Sequence, residues 1–171
     1  MLTEKQIQTA ESIQLSTNFN LYELIKSDSY PELVDYPSEL IIEKLKEYAN
    51  TVLQPIRDKF GRLRINSGYR PKRLNAAVGG VSNSIHQILT DPGHVYLGCA
   101  CDIVPLDADI IEVFEWAAAN VQTIRTIILY RKPSVTKNPF IHADNRLATG
   151  KPISILEKTG KNKYEPYVKE S

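Results

Sequence analysis

Histidine, cysteine and net charge are all scarce in this chain of 171 residues, which carries three histidines, two cysteines and a formal net charge of +1 from 21 basic and 20 acidic side chains. So even a balance gives no broad positive field, which disfavours nucleic acid and anionic membrane surfaces as partners. No stretch supplies the ~18 consecutive apolar residues that a membrane-spanning helix needs. Residues 1–14 carry acidic and amide groups where a secretory leader has a basic start and an apolar stretch, so a protein that is cytoplasmic at synthesis is expected. Cys99 and Cys101 lie two apart in what reads as a strand, where both point one way and a bond between them would distort the backbone. Two free thiols and a reducing compartment of synthesis follow as expectations. Repeats, low-complexity tracts and Pro/Gly-rich linkers are missing too. With 42% apolar and 24% charged residues the composition is that of an ordinary globular protein, and one domain over 1–171 is expected.

What is present is periodicity. Residues 20–26 read as a short helix and 38–60 as a long one, with Ile41, Leu45, Tyr48, Val52, Ile56 and Phe60 at helical spacing. Pro55 is expected to kink that helix and Gly61 to end it. Leu63-Arg64-Ile65-Asn66 alternates as a half-buried strand and runs into Ser67-Gly68-Tyr69-Arg70, where Gly68 and Pro71 mark a turn that presents Arg70. Residues 98–104 and 123–130 read as buried strands separated by a helix at 107–121, with Asp107 as its N-cap. Phe140–Asp144 makes a further short strand, and 153–156 with 164–168 suggests a closing hairpin across a turn at Gly160. Helices first, then strands with a helix among them, give an α+β class.

Three histidines keep the search for chemistry short. His86 follows a Gly-rich, Ser-rich stretch, Val78-Gly79-Gly80-Val81-Ser82-Asn83-Ser84-Ile85, and precedes the strand that holds Asp102. His142 sits at the centre of Phe140-Ile141-His142-Ala143-Asp144, where a polar ring among apolar neighbours needs a reason. Two imidazoles and one carboxylate make three ligands for a tetrahedral zinc with its fourth position open to water, the arrangement that hydrolytic zinc sites use. The three are scattered, and no compact pattern such as H-E-x-x-H joins them.

In order along the chain stand Ser67-Gly68-Tyr69-Arg70, Leu74-Asn75-Ala76-Ala77-Val78-Gly79-Gly80, Ser84-Ile85-His86, Gly98-Cys99-Ala100-Cys101-Asp102 and Phe140-Ile141-His142. This series resembles the D-Ala-D-Ala carboxypeptidases and phage endolysin peptidases, whose fold is shared with the amino-terminal domain of Hedgehog proteins. Members read S-G-Y-R, L-N-x-x-V-G-G, S-x-H-x-x-G-x-A-x-D and then an apolar-apolar-H strand. The resemblance spans about residues 19–145, since Asn18-Phe19-Asn20-Leu21-Tyr22-Glu23-Leu24 and the long helix match the family's opening, and it leaves a hairpin extension at about 150–171. It implies a small, mainly antiparallel sheet packed against helices, a zinc ion held by His86, Asp102 and His142, and a peptidoglycan stem peptide as substrate. Arg70 would correspond to the family's arginine that stabilises the oxyanion or grips the substrate; the rival reading is a surface turn residue. Ser84 and Tyr69 are candidate substrate contacts, with a turn residue and a core aromatic as the plainer readings. Trp116 reads as a core or cleft aromatic. The missing leader is in keeping with phage or prophage-type enzymes that accumulate in the cytoplasm before reaching the wall.

Two departures stand out. His86 and Asp102 are sixteen positions apart where the family pattern has seven, so 87–97 must hold an insertion of nine residues, within which His94 offers a rival ligand. Relatives often place an acidic base three positions before the last histidine, where this chain has Pro139. Asp144 shares a strand face with His142 and is the candidate base; the alternative is a salt bridge to Arg146 or a turn cap. The departures also leave open a binding module that keeps the fold without catalysis. A cysteine hydrolase using Cys99 or Cys101 lacks an activating helix N-terminus.

Overall fold

The computed structural model describes residues 1–88, 98–146, 153–161 and 163–169. Helix α1 (Glu4–Ser12) starts from a reciprocal cap in which Thr3 Oγ1 accepts from the Gln6 N–H and Gln6 Oε1 from the Thr3 N–H. Only Ala10 of α1 is buried, so it carries no apolar stripe for periodicity to detect. Strands β1 (Gln14–Ser16) and β2 (Phe19–Asn20) form a small antiparallel ribbon, and Asn20 with Glu23 caps α2 (Leu21–Ile25) as Thr3 and Gln6 cap α1.

The long helix is α3 (Glu39–Tyr48) continued through a π-helical turn (Ala49–Leu53) into α4 (Gln54–Phe60). The cause is Pro55: it has no N–H to give and its ring would press on the carbonyl one turn back, so the helix widens just before it, with the Gln54 N–H bonded to the Ala49 carbonyl. The expected kink is thus a wide turn, and the helix ends at Gly61.

After β3 (Leu63–Ser67), α5 (Lys72–Ala77) and β4 (Ala100–Pro105) comes α6 (Ile110–Asn120). It begins three residues later than the spacing suggests. Asp109 is its N-cap and accepts from the Ile111 and Glu112 N–H groups, whereas the carboxylate of Asp107 is taken by the backbone and guanidinium of Arg62. Strands β5 (Thr126–Tyr130), β6 (Phe140–Asp144), β7 (Ser154–Gly160) and β8 (Lys163–Pro166) complete a six-stranded sheet in the order β3-β4-β6-β5-β7-β8. Every pairing is antiparallel except β5 with β7. The fold is α+β, a mostly antiparallel sheet packed against helices, as expected.

Alternation divides the sheet into two faces. Ile65, Cys101, Ile103, Ile141, Ala143, Ile127 and Leu129 face the helices and join Leu45, Tyr48, Val52 and Phe114 in the core. Cys99 and Cys101 are free thiols in that core, and burial pushes the Cys99 thiol up to about 12 and that of Cys101 well above its ordinary value, so neither is an activated nucleophile. On the opposite face the register aligns Asp102, His142, Ile128 and Leu156 in one line across four strands.

Tyr48 locks α3 to the sheet. Its buried hydroxyl donates to the Ala143 carbonyl at 2.7 Å and accepts from the Cys101 N–H at 3.2 Å. Tyr48→Phe keeps the ring and removes a buried hydroxyl from two backbone groups that still face each other across β4 and β6, so a stability loss of about 1 kcal/mol is expected, read as a lower urea midpoint at an unchanged slope. Among the described residues no helix is long and apolar enough to cross a membrane.

Candidate metal centre

Asp102 and His142 meet because β4 and β6 pair in a register that sets them opposite each other. A bulge between Ile65 and Ser67 of β3 lies beside Asp102, a distortion common next to active sites because it re-aims the neighbouring side chain. His86 arrives from a loop, and the motifs around it explain how. Asn75, in the middle of α5, donates from Nδ2 to the Val81 carbonyl at 2.8 Å, and its Oδ1 would lie 2.2 Å from a Cβ at position 80, so only glycine fits there. This folds residues 78–84 back toward the sheet. Gly68 packs on the Leu24 carbonyl, which would lie 2.3 Å from any Cβ, and the close approach leaves the Gly68 carbonyl free to receive His86. His86 Nδ1 donates to that carbonyl at 2.8 Å, while the Arg70 N–H donates to the His86 carbonyl at 2.8 Å. The Ser67–Arg70 turn and the histidine loop thus latch together. Directly afterwards Ile88 adopts φ 49, a left-handed conformation costly for a β-branched residue. His94 and most of the inserted segment lie outside the described residues.

The three side chains converge. His142 Nδ1 lies 2.9 Å from Asp102 Oδ1, His86 Nε2 lies 3.2 Å from His142 Nδ1, and His86 Nε2 lies 3.5 Å from Asp102 Oδ1. A tetrahedral ion with bonds of about 2.0–2.1 Å sets its ligands about 3.3 Å apart, and the observed edges bracket that value. His86 is 2% exposed, and the outer nitrogen of each ring is committed: Nδ1 of His86 to the Gly68 carbonyl and Nε2 of His142 to Asp144 Oδ2, 3.5 Å away. Such outer-shell partners fix the tautomer and turn the inner nitrogen's lone pair toward the metal position. Two nitrogen lone pairs and a carboxylate this close repel each other unless a cation lies among them.

A proton can play that part. Burial opposes charge on His142, but hydrogen bonds to Asp102 and Asp144 prevail and raise its pKa to about 9. His86 is lowered, chiefly by burial, and Asp102 is held well below the usual carboxylate range because the two imidazoles outweigh the cost of its burial. One proton shared by three metal-ligating groups is what a divalent ion would displace. Two nitrogens and one oxygen suit zinc, and the donor set fits such an ion.

The trio lies in the wall of a cleft of about 770 Å³. Arg70 lines it as well, and its Nε is buried without a hydrogen-bond partner. Ser84 lines the same cleft, whereas Tyr69 is buried in the core and does not. Asp144 is 0% exposed and stands behind His142, on the ring nitrogen away from Asp102, where Arg146 grips it with Nε at 2.8 Å and with Nη2. The alternative reading of Asp144, the ion pair with Arg146, is the one seen; the carboxylate also approaches His142, but from the side away from the metal position, which is not where a base would stand.

Sequence reasoning passed over Tyr130, Phe140, Lys158 and Tyr164, which form one end of the cleft. Positions 130 and 140 share parity with Ile128 and His142, a signal available in the alternation. The contribution of the hairpin depends on the parallel pairing of β5 with β7, which no local pattern announces.

No curated protein matches the chain. A family model described as Peptidase M15 matches residues 18–144, from the Asn18-Phe19-Asn20 opening to the end of β6, and so takes in the latch, Arg70 and all three converging ligands. Its members are metal-dependent peptidases, in keeping with the donor set found here. With the match extending over well more than half of its length, the chain belongs to the Peptidase M15 family.

Proposed function

We propose that the protein is a zinc-dependent peptidase that hydrolyses an amide bond in the stem peptides of bacterial cell wall, at a terminal D-Ala-D-Ala or at an internal bond. The observation that carries the reading is the convergence of His86, Asp102 and His142 at tetrahedral ligand spacing on the wall of an open cleft. Zinc bound by these three would supply a water of pKa near ~7 and Lewis acidity toward the scissile carbonyl. Arg70 is placed to hold the negative charge that develops on the carbonyl oxygen, since its guanidinium is a rigid fork with a donor still unused. Asp144 keeps His142 in the tautomer that offers Nδ1 and is a positioning residue in this scheme. Ser84, on the cleft wall beside His86, is a candidate contact for the substrate backbone.

One observation favours a second reading, a cell-wall-peptide-binding module without catalysis: among the described residues that line the cleft, Asp102 is the sole carboxylate, so none remains to serve as base. Incubation of the zinc-loaded protein with purified muropeptides, beside His86→Ala, separates the two. The peptidase reading expects new products in mass spectra of the parent reaction and none with the variant. Peptide binding without cleavage by the parent would establish the module.

A further inference from the structure

We infer that Lys158 and Tyr164, on the hairpin that lies beyond the family match, form a carboxylate-binding subsite at one end of the cleft. The inference rests on the peptidase reading for its substrate, but its geometry stands apart from the metal ligands. Lys158 is 9% exposed, lines the cleft and makes no ion pair among the described residues; its ammonium lies 3.8 Å from the centroid of the Tyr164 ring and also engages that residue's hydroxyl. Tyr164 offers the ammonium a ring face and a hydroxyl but no carboxylate, and an anion entering the cleft would supply the counter-charge. Its neighbour Glu157, which could have neutralised it, points to the other side of the strand and is bound to Arg131 at 2.9 Å.

The surroundings are built for one polar group. Lys158 and Tyr164 are cross-strand partners in β7 and β8, and Tyr130, which interacts with Tyr164, is stacked on Phe140 with ring centroids 4.2 Å apart. Among the described residues the charged groups lining the cleft are Arg70, Arg146 and Lys158 against Asp102, and Arg146 is engaged with Asp144. The site is therefore cationic within a chain of nearly balanced charge. Lys158 stands two residues along β7 from Leu156, which lies on the line through Asp102 and His142. With a rise of ~3.3 Å per residue along the strand and two strand spacings of ~4.8 Å from β7 across β5 to β6, Lys158 stands about 12 Å from His142 backbone to backbone, the reach of up to about four residues of an extended peptide. The group recognised is thus a carboxylate within about four residues of the bond that is cut.

Such a carboxylate has two sources, the free C-terminus of the peptide or an internal acidic residue, and two substrate pairs tell them apart. One pair is an acetylated peptide ending in D-Ala-D-Ala and its C-terminal amide; the other is an amidated peptide with an internal glutamate and its glutamine form. The zinc-loaded parent is expected to favour the carboxylate member of one pair by about 30-fold or more in kcat/KM, mainly through KM. Lys158→Met, which keeps the aliphatic stem over Tyr164, should abolish the preference, and Lys158→Arg should keep it, both with the parent's zinc content and melting temperature. If the parent cleaves none of the four peptides the peptidase reading fails, and the subsite is then judged by calorimetric binding of the same four to the same proteins, with the same order expected. Equal treatment of carboxylate and neutral forms by the parent, or a preference that survives in Lys158→Met, would overturn the inference.

Discussion

Replacing His142 with alanine is expected to abolish stoichiometric zinc binding and to lower cell-wall peptide cleavage by roughly 10³-fold or more, because it removes one of three ligands and with it several kcal/mol of charge stabilisation in the transition state. The variant should nevertheless fold, since His142 lies on the cleft face of β6 while the core side of that strand is filled by Ile141 and Ala143. The same residue governs the pH dependence of metal uptake. In the metal-free protein the His142 pKa is raised to about 9, so the imidazolium predominates at neutral pH, while His86 and Asp102 have already given up their protons. Zinc must displace that proton. Binding at pH 7 should release about one proton, and affinity should climb about tenfold per pH unit until it levels off near 9. Calorimetry in buffers of different ionisation enthalpy measures the release directly. For stability the sign is reversed: a raised folded-state pKa stabilises the metal-free protein below the unfolded value near 6.5, and the gain disappears as pH rises through 9.

Arg70→Met should leave zinc binding intact and reduce kcat by about 10²–10³-fold, the loss typical of one donor removed from a developing oxyanion. The backbone of Arg70 already anchors His86 through the bond to its carbonyl, and a methionine backbone makes the same bond, so the substitution tests the guanidinium alone. Arg70→Lys should recover little, because a single ammonium cannot reproduce the planar fork. A loss confined to KM would instead assign the side chain to substrate gripping, the other role that the resemblance implies.

Much of the site could be read from the chain because its parts obey period-two alternation. A histidine between Ile141 and Ala143 must point away from the core that those neighbours enter, and the same parity places Asp102 opposite Cys101 and Ile103. Alternation also puts Asp144 on the His142 face, but it cannot say which ring nitrogen the carboxylate meets, and that choice separates a base from a positioning residue. Asp107 and Asp109 are equally good N-caps on paper; Arg62, distant in sequence, captures the first and leaves the second to start α6. The wide turn before Pro55 is a tertiary accommodation in place of the expected kink. The cationic end of the cleft depends on a parallel pairing between strands whose connection leaves no local mark, so Lys158 and Tyr164 are silent until the sheet is assembled.

The most direct test of the account is titration of the protein with zinc, followed by X-ray absorption at the zinc edge for the parent and for Asp102→Asn. One ion per chain is predicted, ligated by two imidazole nitrogens, one carboxylate oxygen and one further oxygen from water, with much weaker uptake in the variant. Sulfur from Cys99 or Cys101 in the coordination shell, or full-affinity binding in the absence of the Asp102 carboxylate, would contradict it.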